Sequence, residues 1–278
     1  MSLKEILQKN HFTFQKRFGQ NFLTDANLLA SIVEKAGIGG EDVVLEVGCG
    51  GGTLTAAISD RAKRVIGFEI DRNLEPVLNE TLKGRDNVEI YFRDVMKIPT
   101  GELETLAGGA YAVVANLPYY ITTPVLMKFL EEGERVSSVT VTVQEEVADR
   151  LCARPGTPEY GAVTVAVNAA GSAEKVMRIG RNCFYPVPNV DSAVVKISVD
   201  REKYTPAVRQ AVRSVVRAAF QSRRKTLVNN LMQAFRLSRA QAEEGVRDAG
   251  LDVLCRGETL GVEEYVRLAG ILSERGYL

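Results

Sequence analysis

Val44-Leu-Glu-Val-Gly-Cys-Gly-Gly-Gly-Thr-Leu-Thr55 sets a short apolar run against four glycines in five positions, with a helix-compatible stretch following at once. The run Val43–Val47 reads as a buried strand, because β-branched and aliphatic side chains fill a pleated surface well. Glycines behind it permit a tight turn and let backbone approach a ligand at the switch point of an open sheet. Glu69 closes the next apolar run, Val65–Glu69, seventeen residues beyond Gly52. A carboxylate at that place can accept the ribose hydroxyls of an adenosine-containing ligand. NAD enzymes share this much of the pattern. Their fingerprint wants Gly or Ala as its third small residue, and position 53 is Thr.

Outward from this turn, strand and helix patterns alternate. Upstream, Asp25 can cap a helix in which Leu28, Leu29, Ile32, Val33 and Ala36 recur at helical spacing, and Gly37 ends it. Downstream, a helix is expected from Arg72, and strands at Val88–Phe92, Tyr111–Asn116 and Val139–Gln144. Lys175–Ile179 and Ser192–Val199 are β-rich and flank a Pro-rich loop, suggesting a hairpin-like edge with an antiparallel last strand. Such alternation implies a mostly parallel α/β sheet covered by helices on both faces. Beyond about Asp200 the strand signal stops. Pro206–Phe220, Lys225–Phe235, Ser238–Ala249 and Val262–Glu274 read as helices. The expected organisation is a sheet domain over residues 1–200 and a small all-helical domain over 201–278.

Composition narrows the chemistry. The chain has 278 residues, a 45% hydrophobic fraction and a formal charge of zero, so a real core can form. No apolar run approaches the ~18 residues of a membrane span, and no apolar signal core follows Lys4, Glu5 and Lys9. A soluble cytoplasmic monomer is the expectation. Cys49, Cys152, Cys183 and Cys255 form no CxxC pair, which argues against a thiolate metal site. His11 is the only histidine, which excludes a Ser-His-Asp triad and any multi-histidine metal centre. Chemistry without imidazole favours a cofactor that carries its own reactivity. Charge is uneven: Arg201–Arg236 holds nine Lys or Arg against one acid, Glu202. A basic stretch of this kind on a neutral chain points to an anionic partner.

Three further stretches carry chemistry. Asp94 follows the third strand, where it can accept from an adenine amino group. Asn116-Leu-Pro-Tyr-Tyr-Ile121 follows the fourth. The nitrogen of an aniline-like amine is a poor nucleophile, because its lone pair is delocalised into the ring. A side-chain amide oxygen from Asn116 and a backbone carbonyl from Leu117 can accept both of its hydrogens. They thereby favour a pyramidal nitrogen aimed at an electrophilic methyl. Pro118 stiffens the turn, Tyr119 offers a stacking face for an extruded base, and Phe184, at the head of Phe184-Tyr-Pro-Val-Pro-Asn-Val-Asp-Ser-Ala193, can close its other face. Arg223, Arg224 and Lys225 lie beside hydroxyl residues in Phe220–Leu227, a pattern suited to phosphate contacts.

Taken together, these residues resemble the small-subunit rRNA adenine N6,N6-dimethyltransferase family, to which the bacterial kasugamycin-sensitivity methyltransferase belongs. The resemblance runs through Lys16–Asp25, Glu46–Thr55, Glu69–Asp71, Asp94, Asn116–Ile121, Gln144–Ala148, Phe184–Ala193, Phe220–Leu227 and Arg256–Leu260. It implies a Rossmann-like class I methyltransferase sheet with S-adenosylmethionine as cofactor, contacted by Asn21, Leu23, Gly48, Glu69, Asp94 and Asn116. It implies that Asn116, Tyr119 and Phe184 hold the target base. The implied substrate is a pair of adjacent adenosines in the 3′-terminal hairpin of small-subunit rRNA, dimethylated on an assembling subunit. Cys49 and Gly51 depart from the family's usual Pro and Leu in the turn. The macrolide-resistance methyltransferases, which act on large-subunit rRNA, share the Asn-Leu-Pro-Tyr type of motif and are the alternative. A ribosome-assembly factor valued for binding and an NAD dehydrogenase stand further off.

Overall fold

A computed structural model describes residues 1–15 and 19–278; Lys16, Arg17 and Phe18, the head of the Lys16–Asp25 stretch, lie outside the described residues. In chain order the elements are α1 (Leu3–Lys9), β1 (Phe22–Leu23), α2 (Ala26–Ala36), β2 (Val43–Val47), α3 (Thr53–Ser59), β3 (Arg64–Phe68), α4 (Glu75–Thr81) and β4 (Val88–Tyr91). Then come α5 (Thr100–Ala107), β5 (Tyr111–Asn116), α6 (Tyr119–Glu132), β6 (Val136–Gln144), α7 (Glu145–Leu151), α8 (Ala162–Ala170), β7 (Gly171–Ile179), β8 (Phe184–Tyr185) and β9 (Ser192–Val199). Four helices finish the chain: α9 (Pro206–Ala219), α10 (Leu227–Phe235), α11 (Arg239–Asp248) and α12 (Val262–Glu274).

Seven strands form one sheet in the order β4-β3-β2-β5-β6-β9-β7. The first five run parallel, with Val44 opposite Val65 and Ala112, as alternating β and α units require. β9 pairs antiparallel with β6, Ser192 facing Gln144. It lies between β6 and β7, so β9 and the outer strand β7 make the expected hairpin-like edge, with the antiparallel last strand on its inner side. The reason is apolar content: Ala193, Val194, Val195 and Ile197 are all fully buried. Val44, Leu45, Val65, Ile66, Val113 and Val139 are equally dry, and each such side chain contributes about 1.5–3 kcal/mol on leaving water. Helix ends follow local chemistry. The Asp25 carboxylate accepts from the Leu28 N–H at 3.0 Å, and Gly37 closes α2 at φ 75°.

The chain divides into two compact units, residues 1–148 with 174–199, and residues 149–173 with 200–278. The sequence pattern groups 149–173 with the sheet, and the structure corrects this. Tyr160 and Val165 lie in the core of the helical unit with Val212, Val215, Leu231, Val246 and Leu268. The Tyr160 hydroxyl donates to the Leu260 carbonyl at 2.7 Å. Within that unit, Tyr265 donates to the Gly257 carbonyl at 2.8 Å and Asn230 to the Ala219 carbonyl at 2.8 Å.

Candidate cofactor and base site

The carboxyl ends of β2, β3 and β5 open into a cavity of about 330 Å³, a size usual for a small-molecule site. Every residue expected from the sequence to touch cofactor or base lines it: Asn21, Leu23, Gly48, Glu69, Asp94, Asn116, Tyr119 and Phe184. The floor is the glycine turn. Gly48, Gly50 and Gly52 have φ of 78°, 54° and 80°, the left-handed region that side chains rarely adopt. A methyl group on Gly48 would also lie 2.7 Å from Leu117 Cδ2.

Glu69 is buried at the end of β3, with Oε2 accepting from the Gly50 N–H at 2.8 Å and Oε1 from the Ile70 and Asp71 N–H groups at 2.7 and 2.8 Å. A carboxylate has about four acceptor positions, so the turn itself takes most of them and Oε2 keeps the open one. Burial pushes its carboxyl above the usual range, and the three backbone donors oppose that. Asp94 caps the turn after β4, accepting from the Met96 N–H at 3.0 Å, while lining the cavity.

The N-terminal arm closes one side. Thr53, the residue that departs from a dinucleotide fingerprint, donates its hydroxyl to the Leu23 carbonyl at 2.7 Å. Asn21 offers its carbonyl to Asn116 Nδ2 at 3.3 Å. That contact commits the amide's donor side and leaves Asn116 Oδ1, among the described residues, without a protein donor. Leu23 pairs with Phe184 and Phe22 with Tyr185 in the two-stranded β1–β8 ladder. Tyr119, the first residue of α6, is half-buried, and Phe184 is buried.

One cavity residue is not among the candidates that the sequence singles out. Glu46, on β2, is fully buried, and neither carboxyl oxygen has a hydrogen-bond partner among the described residues. Burial raises its pKa to about 8; the neighbouring Thr55 hydroxyl opposes the rise and the Glu69 charge adds to it. Its signal in the sequence is an acid inside an otherwise apolar buried strand.

Arg223, Arg224 and Lys225 are exposed between α9 and α10 in the other unit. Arg223 is not a spare cation. Its Nε meets Glu258 Oε2 at 3.0 Å, and its Nη2 donates to the Pro158 and Tyr160 carbonyls at 3.1 and 3.2 Å. Lys225 donates to Gln233 at 3.1 Å.

A mostly parallel sheet in this strand order, with a glycine turn and an acidic residue after the neighbouring strand, defines a class I S-adenosylmethionine-dependent methyltransferase. The family model described as "Ribosomal RNA adenine dimethylase" matches residues 11–268, and the chain belongs to that family. It is 44% identical to the "Ribosomal RNA small subunit methyltransferase A" of Clostridioides difficile (strain 630), over 98% of this chain and 95% of that one. The protein of the same name from Bacillus pumilus (strain SAFR-032) is 44% identical over the same shares. Among solved structures, the 23S rRNA methyltransferase ErmE superposes with a TM-score of 0.69 at 28% identity, covering 91% of this chain and all of that one. A dimethyladenosine transferase from Plasmodium falciparum shares the fold at TM-score 0.76 and 23% identity, over 92% and 98%.

The residues present fit S-adenosylmethionine. Its α-ammonium and sulfonium bring positive charge, and Glu46 is a buried carboxyl whose oxygens accept no hydrogen bond among the described residues. Its ribose brings hydroxyl donors, for which Glu69 Oε2 keeps an acceptor position.

Proposed function

We propose that this chain transfers methyl groups from S-adenosylmethionine to the N6 nitrogen of adenosines in small-subunit rRNA, two methyls to each of two adjacent adenosines in the 3′-terminal hairpin. Identity of 44% across nearly the whole of two small-subunit relatives, against 28% for the large-subunit enzyme ErmE, supports the small subunit over the alternative. Cytoplasmic action as a monomer on an assembling subunit completes the proposal. Among the described residues no helix is long and apolar enough to cross a membrane.

When bound, the cofactor supplies the electrophilic methyl. The chain supplies position. Glu46 and Glu69 hold charge and ribose, Asp94 meets the adenine, and Asn21 and Leu23 close the arm over them. Asn116 Oδ1 accepts one hydrogen of the target amine while the Asn21 carbonyl fixes the amide's rotation. Tyr119 and Phe184 flank the base. His11 does not line the cavity, so as the S–CH3 bond breaks and the thioether leaves, the proton shed by the methylated nitrogen passes to water rather than to imidazole. Arg224 and Lys225 meet phosphate in the rRNA, with Arg223 bracing their loop.

The observation that carries this reading is Asn116: it lines the cavity, its amide nitrogen is tied to the Asn21 carbonyl, and the glycine turn lines the same cavity. Asn116→Ala is expected to leave cofactor affinity within about an order of magnitude while single-turnover methylation falls about a hundredfold, since the interaction acts at the moment of reaction. Unchanged methylation would remove the motif from the mechanism. Mass spectrometry of small-subunit rRNA from cells lacking the protein checks the substrate, with unmethylated adenosines in that hairpin as the expected result.

A further inference from the structure

Tyr119 and Phe184 sit on elements far apart in the chain, yet one loop governs both. Phe184 opens the loop as part of β8, where its backbone pairs with Leu23. Ser192 ends the same loop as the first residue of β9, paired opposite Gln144 and fully buried. Its Oγ lies 2.9 Å from the Tyr119 hydroxyl. The loop is also braced across its base, because Asp191 Oδ1 accepts from the Arg181 N–H at 2.9 Å and the Asp191 carbonyl accepts from the Glu145 N–H at 3.2 Å. One end of a braced loop therefore carries one aromatic wall, and the other end holds the tip of the opposite wall.

We propose that Ser192 is a positioning residue for base capture: through its hydrogen bond it fixes the Tyr119 ring at a set distance and tilt from Phe184. Rotation about χ2 of a tyrosine is otherwise broad, and a ring free to tilt cannot present a constant stacking face. A buried serine is a sound anchor. Its hydroxyl can both donate and accept, and a paired strand on each side of β9 prevents its backbone from following the ring. Fixing the wall before the base arrives removes an ordering cost from the transfer step. Tyr119 thus plays two parts, with its face toward the base and its hydroxyl toward Ser192.

This inference rests on the reading that Tyr119 and Phe184 flank the base, and the experiment separates the two. Tyr119→Ala, Tyr119→Phe, Ser192→Ala and the Tyr119→Phe/Ser192→Ala double variant are compared using unmethylated small ribosomal subunits. The readouts are single-turnover rate at saturating substrate, cofactor Kd and Tm. Loss of one hydrogen bond that acts on the reacting geometry should slow transfer by about tenfold. Tyr119→Phe and Ser192→Ala should each show that loss, the double variant no more than either, and cofactor Kd should not move. A purely structural role for Ser192 would lower Tm and leave the rate of the folded fraction intact, which overturns the proposal. Additive losses overturn it too, since they would mean that the Tyr119 hydroxyl works apart from Ser192. If Ser192→Ala does not fold, Tyr119→Phe alone decides, and a parental rate rejects the idea. If Tyr119→Ala also methylates normally, the base-flanking reading fails; if only the hydroxyl variants do, that reading stands and the Ser192 inference falls.

Discussion

Glu46 shows how a single residue can tie folding, pH and ligand together. Its carboxyl, held at about 8 by burial, stays protonated in the folded chain while the unfolded chain releases that proton near the ordinary glutamate value of 4.5. Between those values the folded state binds more protons. The stability this group contributes is therefore full below about pH 4.5 and is lost as pH climbs through about 8. A cationic ligand favours the carboxylate, so cofactor binding should release a proton and tighten as pH rises toward 8. Glu46→Gln should flatten the dependence of Tm on pH in that window and weaken cofactor affinity. Parallel Tm curves for parent and variant would remove Glu46 from this role. Gly48, Glu69, Asp94 and Asn116 are legible in the sequence because each stands at a fixed offset from a strand end. Glu46 is not, since an acid within a strand reads as an outward position until both faces are known to be covered. Arg223 looks like a free cation in the sequence for a related reason: its carbonyl partners Pro158 and Tyr160 are 65 and 63 residues away.

Among the elements, the sheet strands announce themselves through apolar runs, and the boundaries of β2, β5 and α12 match expectation to the residue. α1 and the two-residue strands β1 and β8 do not, because short segments owe their form to the surface they pack on. α1 explains the departure at position 51. Gly51 lies outside the left-handed region, yet a Cβ there would fall 2.5 Å from Leu3 Cδ1 and 3.0 Å from Cδ2. Leu3 thus fills from outside the space that a side chain at 51 would take, and α1 packs Leu3, Ile6 and Leu7 against Phe22, Cys49, Leu74 and Leu78. Lys9 and Asn10 tie its far end to Glu80 at 2.8 and 3.1 Å. Leu3→Ala should cost about 2–3 kcal/mol, and Gly51→Leu about 1–3 kcal/mol through overpacking. Combined, they should cost clearly less than the sum, because one side chain replaces the other. Urea unfolding of the four proteins provides the test, and strict additivity would dismiss the exchange.

At the scale of the whole molecule, the residues proposed for chemistry and those proposed for substrate grip fall in different units. The glycine turn, Glu69 and Asn116 belong to the sheet unit, and the exposed Arg224 and Lys225 to the helical one. Arg224→Glu with Lys225→Glu should weaken binding to small ribosomal subunits. It should also flatten the slope of log affinity against log salt by about 0.7–0.9 for each phosphate that is no longer neutralised. Cofactor affinity serves as the control for folding. An unchanged slope would mark both cations as solvated surface. Leaving Arg223 intact matters, because reversing it would set two carboxylates together at Glu258. The count and order of the C-terminal helices are legible from their periodicity. The membership of residues 149–173 is not, since that assignment depends on where Tyr160 and Val165 are buried.

The interrupted path of the helical unit has a consequence for biosynthesis. Residues 149–170 leave the ribosome before β7, β8 and β9 do, while the helices that bury Tyr160 and Val165 emerge only after residue 200. During translation the sheet can close as soon as β9 is free, with Tyr160 and α8 still waiting for their core. Arrested nascent chains ending near residue 240 should therefore show a protease-resistant sheet with a cleavable 149–170 segment. Chains long enough to release α12 should protect both. α12 completes a core that an earlier stretch of chain began, so its loss would strand apolar surface more than a hundred residues upstream.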